Sequence, residues 1–322
     1  MLRVRNGREP ARLFRHPTGM RTPTSRLRLL AAIAGLLLVA GCGGADPVAP
    51  GGSTTTPPST QAGALEHATG PTGIVLRVTA GGGFMPVEFN LRSLPSYTLY
   101  GDGTVIRPVV TTVGVAVAPN ITPLETIKLD EADIQSLLGQ AKSAGLLNAA
   151  TIDYGEMGAL GVSDMPTTSV VLNADGTTVT HNAYGLTFAP TDPPAGTLTR
   201  AQLDARAALR GFVALTEQQD PNATPYTPTR LAVWIAPALA QPTADSEPIV
   251  WPLATAPTFS DTPGAEGIDY RCSVVEGADV APLVDAVMKA PAGAQWIAAP
   301  DRNATFQVVV RALLPDEAGC PA

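Results

Sequence analysis

The sequence predicts an α+β fold in which helices pack on one face of an antiparallel sheet. Three observations carry this reading. Two Asp-Gly turns, at 102–103 and 175–176, each sit between extended runs. Each hairpin signal is followed by an amphipathic helix pattern. The chain beyond 220 then reads strand, helix, strand.

Residues 74–78 are rich in β-branched side chains and read as the first strand. Residues 94–100 and 104–107 flank Gly101-Asp102-Gly103, and Asp-Gly accepts the positive φ that a tight hairpin demands. A helix is predicted over 131–144. Asp130 suits its N-cap, Ile134, Leu137, Leu138 and Ala141 share a face, and Gly145 ends it. The same order recurs: 168–172 and 177–181 flank Ala174-Asp175-Gly176, and a helix follows over 200–218. Thr199 with Gln202 fits a capping box. Leu203, Ala207 and Val213, with Leu209, Phe212 and Leu215, give this helix a wide apolar side with Arg210 at its edge. The recurrence reads as a duplication of layout without residue identity. After a proline-rich join at 220–228, 230–235 is a short strand and 236–263, with six prolines, an ordered loop. Residues 270–275 read as a strand, 280–290 as a helix and 305–313 as a strand. The expected organisation is an α+β domain over 73–219 and a C-terminal module over 220–322. That module either extends the same sheet or forms a small lobe.

The N-terminus carries an address. Arg21, Arg26 and Arg28 precede an uncharged apolar run at 29–40, and small residues lead into Cys42. This is the three-part layout of an export signal. Twelve apolar residues fall short of the roughly 20 that a membrane-spanning helix needs. Residues 20–42 resemble the signal of bacterial lipoproteins, with Val39 where a leucine is usual. The resemblance implies that the Cys42 thiol receives a diacylglyceryl group and that cleavage removes residues 1–41. Cys42 then becomes the lipidated N-terminus, and the protein sits on the outer face of the cytoplasmic membrane. Met20-Arg21 opens a signal of ordinary length, so Met20 is the expected start. Residues 42–72, dominated early by Pro, Gly, Ser and Thr, read as a disordered tether spanning about 30 Å.

Removing residues 1–41, with eight arginines and one acid, leaves 13 basic and 27 acidic residues, a net charge near −14. Such a surface repels nucleic acid. It also leaves attachment to anionic membranes to the acyl chains. Once Cys42 is lipidated, Cys272 and Cys320 remain as an even pair in an oxidising compartment and are expected to form a disulfide. Closing this loop contributes about 4 kcal/mol by chain entropy. The ending Arg311-Ala312-Leu313-Leu314-Pro315-Asp316-Glu317-Ala318-Gly319-Cys320, with the hairpin Leu99-Tyr100-Gly101-Asp102-Gly103, is similar to envelope lipoproteins of high-GC Gram-positive bacteria. That resemblance implies envelope localisation and brings no activity with it.

Motifs for chemistry are sparse. Beyond Cys42 the histidines are His67, read as idle in the tether, and His181, read as a solvent-facing hairpin residue. Zinc wants three or four ligands, so no metal and no cofactor are expected. No Gly-x-Ser-x-Gly elbow or Ser-x-x-Lys pair appears. Gly81-Gly82-Gly83 lacks the Gly-Lys-Ser/Thr ending of a phosphate loop and reads as a turn with no helix after it. Asp153, Glu156 and Asp164 read as solvated loop charges, and Asp130, Glu131 and Asp133 as helix N-terminal acids. Trp234, Trp251 and Trp296 read first as packing and second as a ligand cleft. The expected function is a non-catalytic binding or interaction module of the envelope, with an unknown envelope protein, polymer or small ligand as partner. The alternatives are a hydrolase using His181, and a small-molecule or cation receptor. Cys42→Ala is expected to abolish metabolic lipid labelling and to release the protein from the membrane fraction. Unchanged labelling and retention would sink the lipoprotein reading.

Overall fold

Backbone ladders sort the strands of the computed structural model into two sheets. The structure describes residues 63–109, 120–148, 150–156, 163–188, 197–237, 247–255, 270–291, 293–298 and 305–321. Cys42 and the signal segment lie outside them. The first sheet contains β1 (Ile74–Gly81), β2 (Tyr97–Tyr100), β3 (Thr104–Pro108), β4 (Leu124–Lys128), β5 (Thr167–Ala174), β6 (Thr177–Tyr184) and β7 (Thr224–Pro225). Its order is β6-β5-β1-β2-β3-β4-β7, with every neighbouring pair antiparallel. The second sheet contains β8 (Arg230–Pro237), β9 (Ile249–Val250), β10 (Arg271–Glu276), β11 (Gln295–Ile297) and β12 (Thr305–Ala312). Its order is β10-β8-β12-β11-β9, with only β9 and β11 parallel. The helices are α1 (Val87–Arg92), α2 (Glu131–Ser143), α3 (Arg200–Thr216) and α4 (Val280–Lys289). The fold is therefore α+β.

Local chemistry explains the elements that the sequence announces. Asp175 and Gly176 both take positive φ, 50° and 69°, and join β5 to β6 with a two-residue turn. The first hairpin solves the same problem differently. Its loop has three residues, and only Gly103 is left-handed, at φ 83°. Gly103 N–H donates to Tyr100 O at 2.9 Å, which closes the turn. A Cβ on Gly103 would lie 2.2 Å from Leu129 O, so glycine is required there twice over. Asp130 caps α2 by accepting from Asp133 N–H, and Thr199 with Gln202 forms the capping box of α3. At the end of α2, Gly145 takes φ 76°, and Leu146 N–H and Gly145 N–H donate back to Ala141 O and Lys142 O. This Schellman closure buries Leu146 in the core.

Packing then assembles the layers. Ile134 and Leu138 of α2 and Leu209, Phe212 and Val213 of α3 bury one face of the first sheet around Leu76, Leu99 and Val170. In β8 the buried residues alternate: Leu231, Val233 and Ile235 face α4, whereas Ala232, Trp234 and Ala236 face α1 and Cys320. Several elements depart from the sequence reading. α1, β4, β7, β9 and β11 were not expected. They are six residues or shorter, and so too short to display a period. The division at 219/220 does not separate two cores. β7 joins the first sheet, while α1 and Ile121 pack on the second. The two hairpin units are not a structural repeat. β2 and β5 flank β1 from opposite sides and run parallel to each other, while both helices share one face, and no rotation superposes units so arranged. The tether reading also fails beyond residue 62. Leu65 is buried against α2, Gln135 engages both Leu65 N–H and Leu65 O at 2.8 Å, and Asp175 N–H donates to Glu66 O at 2.8 Å. His67 is correspondingly not idle, since its Nε2 sits 3.2 Å from Glu131.

The C-terminal tail and the β2–β3 hairpin meet in space. Tyr100 O–H donates to Asp316 Oδ1 at 2.6 Å, and Arg77 Nη2 donates to the same atom at 2.7 Å. Next to them Glu317 pairs with Arg311 and accepts from Leu314 N–H at 2.7 Å, while Arg230 Nη2 donates to Glu317 O at 2.7 Å. The tail thus clasps β1 and β2 of one sheet to β8 and β12 of the other. Burial alone would raise the Asp316 carboxyl, but the hydrogen bonds from Arg77 and Tyr100 and the Arg77 charge outweigh it and hold it below the usual range. A depressed carboxyl stabilises the fold above its unfolded value of about 4 and loses that contribution as pH falls through the folded value. Asp316→Asn is expected to cost about 2 kcal/mol at pH 7 in urea unfolding. The deficit should shrink below about pH 4. A deficit of equal size at pH 7 and pH 3 would contradict this account.

Candidate functional site

The chain leaves β1 through Gly82 and Gly83, both left-handed at φ 82° and 84°. A Cβ on Gly83 would meet Asp164 O at 2.7 Å, so this turn is glycine-dependent and serves close packing. A short helix, α1, follows it, contrary to the sequence reading. The turn throws Phe84 to the surface at 89% exposure, with Met85 and Phe89 also exposed. Val87 and Leu91 hold α1 down on the Trp234 and Val309 side of the second sheet. Glu88, Phe89 and Arg92 then face Tyr270, Trp296 and Gln307 across a cavity of about 220 Å³.

The walls of this cavity are mutually braced. Tyr270 O–H donates toward Glu88 Oε1 and Gln307 Oε1, both at 3.1 Å, and shares one proton between them. Burial first, and then the Glu88 charge, push the Tyr270 phenol well up, so it stays a donor. The Arg92 guanidinium lies 5.3 Å from the Phe89 ring centroid, a cation–π arrangement, and Arg92 Nε donates to Glu88 O at 3.2 Å. Among the described residues, this wall carries no serine, cysteine or histidine. What it offers is a recess with apolar and aromatic residues, one carboxylate and one guanidinium in its wall.

The residues singled out from sequence lie elsewhere. Cys272 and Cys320 are at disulfide distance, S–S 2.00 Å with Cα atoms 6.1 Å apart, and pin the tail to β10. Trp251 stacks edge-on with Trp296 and Phe306, each centroid 6.0 Å away, and all three tryptophans are buried as packing residues. Trp296 alone also reaches the α1 cavity. The Asp153 carboxylate is engaged by Gly155 N–H at 2.8 Å and Gln202 Nε2 at 2.7 Å. Among the described residues, no group of three or more His, Cys, Asp or Glu is placed to hold a metal. No helix among them is long and apolar enough to cross a membrane.

His181 corrects the sequence reading outright. It is 3% exposed rather than solvent-facing. Its Nε2 donates to Leu146 O at 2.8 Å, and its Nδ1 is hydrogen-bonded to the Tyr154 hydroxyl at 2.9 Å. A carbonyl only accepts, so Nε2 carries a proton, and both ring nitrogens are engaged. Burial pushes the Tyr154 phenol up to about 12, which keeps it a donor. The hairpin strand alternates faces, and position 181 falls on the helix side beside Ala183. Sequence reasoning also missed Arg206. It is 1% exposed on α3, donating to Tyr154 O, Tyr184 O and Gly185 O at 3.0, 2.6 and 2.9 Å. The available signal was an arginine one turn before Leu209 and Arg210 on a mostly apolar face.

His181→Ala is therefore expected to cost about 2–4 kcal/mol, by leaving a cavity and two unpaired polar groups. Tyr154→Phe is expected to cost about 1–2 kcal/mol. Urea unfolding of the two single variants and the double variant checks this, and additive losses would contradict the shared hydrogen bond. No protein family, no curated protein and no solved structure matches the chain, so the reading of the site rests on its geometry.

Proposed function

We propose that the protein is a lipid-anchored, non-catalytic binding module of the cell envelope, which holds a partner protein at the α1 cavity. The observation that carries this is the pairing of exposed Phe84, Met85 and Phe89 with a braced recess beside them. Its residue types favour a protein partner, since aromatic side chains and arginine concentrate binding energy at interfaces. Size argues the same way. Small-molecule sites run from about 300 to 1,000 Å³. A recess of about 220 Å³ suits a single anchoring side chain. Attachment comes from Cys42 through the tether.

A protein partner is favoured over the lipid surface by position. The chain enters the fold beside the Asp175-Gly176 turn, where Glu66 pairs with Asp175. Phe84 follows the other end of β1, about 25 Å away at the rise of a strand. Phe84 and the point where residues 63–66 join the fold thus lie toward opposite ends of β1. The hydrolase alternative loses the support of His181, whose nitrogens are both taken.

The test is a photo-crosslinking amino acid at Met85, with a control at exposed Asp204, in cells making the full chain. One protein adduct specific to Met85 is expected. Phe89→Asp should weaken that adduct's partner affinity by roughly 30-fold, the loss typical of an interface hot spot, without altering the melting temperature. Lipid adducts, or identical products at both positions, would overturn the reading.

A further inference from the structure

A second cavity lies where α3 stops. Arg107 faces Glu125 across the β3–β4 ladder, and Tyr97 continues the β2–β3 ladder beside it, on the helix-covered face. The last turn of α3 leaves these residues beside an open cavity of about 340 Å³, which the 218–221 segment also lines. Ile127, Leu129 and Leu215 form an apolar wall. This volume falls within the range of small-ligand sites.

The polar floor carries unused capacity. Arg107 is 4% exposed. Its Nε donates to Glu125 at 2.6 Å, and its Nη1 to Thr216 O and Gln218 O at 3.2 and 2.6 Å. Its Nη2 engages no partner among the described residues. Tyr97 is 6% exposed, and its hydroxyl likewise has no partner among them. Burial keeps that phenol protonated, and Arg107 only partly offsets it, so the group remains a donor. Neither that hydroxyl nor Arg107 Nη2 is sealed from solvent, so a ligand oxygen can take the place of water at each. Acceptors line the same cavity: Gln219, and Asp220, one of whose oxygens accepts from Asn222 N–H at 2.7 Å while no described residue engages the other.

Charge decides the ligand class. Glu125 neutralises Arg107, and Asp220 adds a further negative charge, so an anion gains no net attraction here. A neutral polyhydroxylated molecule both donates and accepts at each hydroxyl, and its C–H faces suit the apolar wall. We propose that this cavity binds a neutral saccharide unit. Tyr97 and Arg107 donate to its oxygens, and Gln219 and Asp220 accept from its hydroxyls.

The experiment applies the full chain to an array of neutral and uronic-acid oligosaccharides, then titrates the strongest neutral oligosaccharide by calorimetry. Neutral glycans are expected to bind. Tyr97→Phe should weaken binding at least fivefold with an unchanged melting temperature, and Phe84→Asp should leave it intact, separating this cavity from the α1 site. Binding to no glycan, or to acidic glycans alone, would overturn the proposal. So would a Tyr97→Phe variant that binds normally, or one that loses stability and so reveals a structural hydroxyl.

Discussion

Asp316 accepts from Arg77 on β1 and Tyr100 on β2, and through this carboxylate the C-terminal tail is tied to the middle of the first sheet. The neighbouring Glu317 ties the same tail to Arg311 on β12 and, through its carbonyl, to Arg230 on β8. Four strands from two sheets are thus held by two consecutive acidic residues. Around them the packing is modest: Tyr100, Ile106 and Leu124 meet Ala312 and Leu314. A small apolar contact between sheets invites sliding, whereas charge-assisted hydrogen bonds fix direction and register. Cys320 then closes the end of the tail on Cys272.

The clasp has a consequence for α1. Arg311 also donates to Ser93 O at 2.9 Å, immediately after the helix, and the side chains that seat α1 lie against Trp234 and Val309 of the sheet that the tail secures. The recess under α1 has sheet residues in its wall and is braced by Tyr270 and Glu88. Presenting Phe84 and Phe89 in water carries a cost that the rest of the fold offsets. Such bracing would lower the entropy cost of binding for the partner proposed at this recess.

A second theme is the use of buried polar side chains to hold loops. Arg206 takes three carbonyls, Arg107 takes two at the end of α3, and Asn120 takes Ala290 O at the end of α4. His181 and Tyr154 do the same for the turn after α2. Carbonyls at helix ends and turns have no intrahelical donor, and a buried one needs a partner. Residues of catalytic type are thereby placed in structural work, which is why histidine and arginine in this chain mislead when read one at a time.

What was legible in the sequence is what is local. The Asp175-Gly176 turn, the caps at Asp130 and Thr199, the stop at Gly145 and the α+β class all depend on residues within a few positions of each other, and the chain states them directly. The pairing of Cys272 with Cys320 was expected from cysteine count and the export-signal reading. The burial of His181, the docking of residues 63–72, the two-residue strands and the site under α1 were not legible, because short elements carry no period and a face is buried only when a distant segment covers it. Tyr100 and Asp316 stand 216 positions apart, and Tyr97 meets the end of α3 only once the sheet has formed. Local propensity determined which elements exist. Long-range packing alone decided which polar side chains became structural and which were left facing a cavity, because that choice depends on the neighbours each side chain meets after the sheets close.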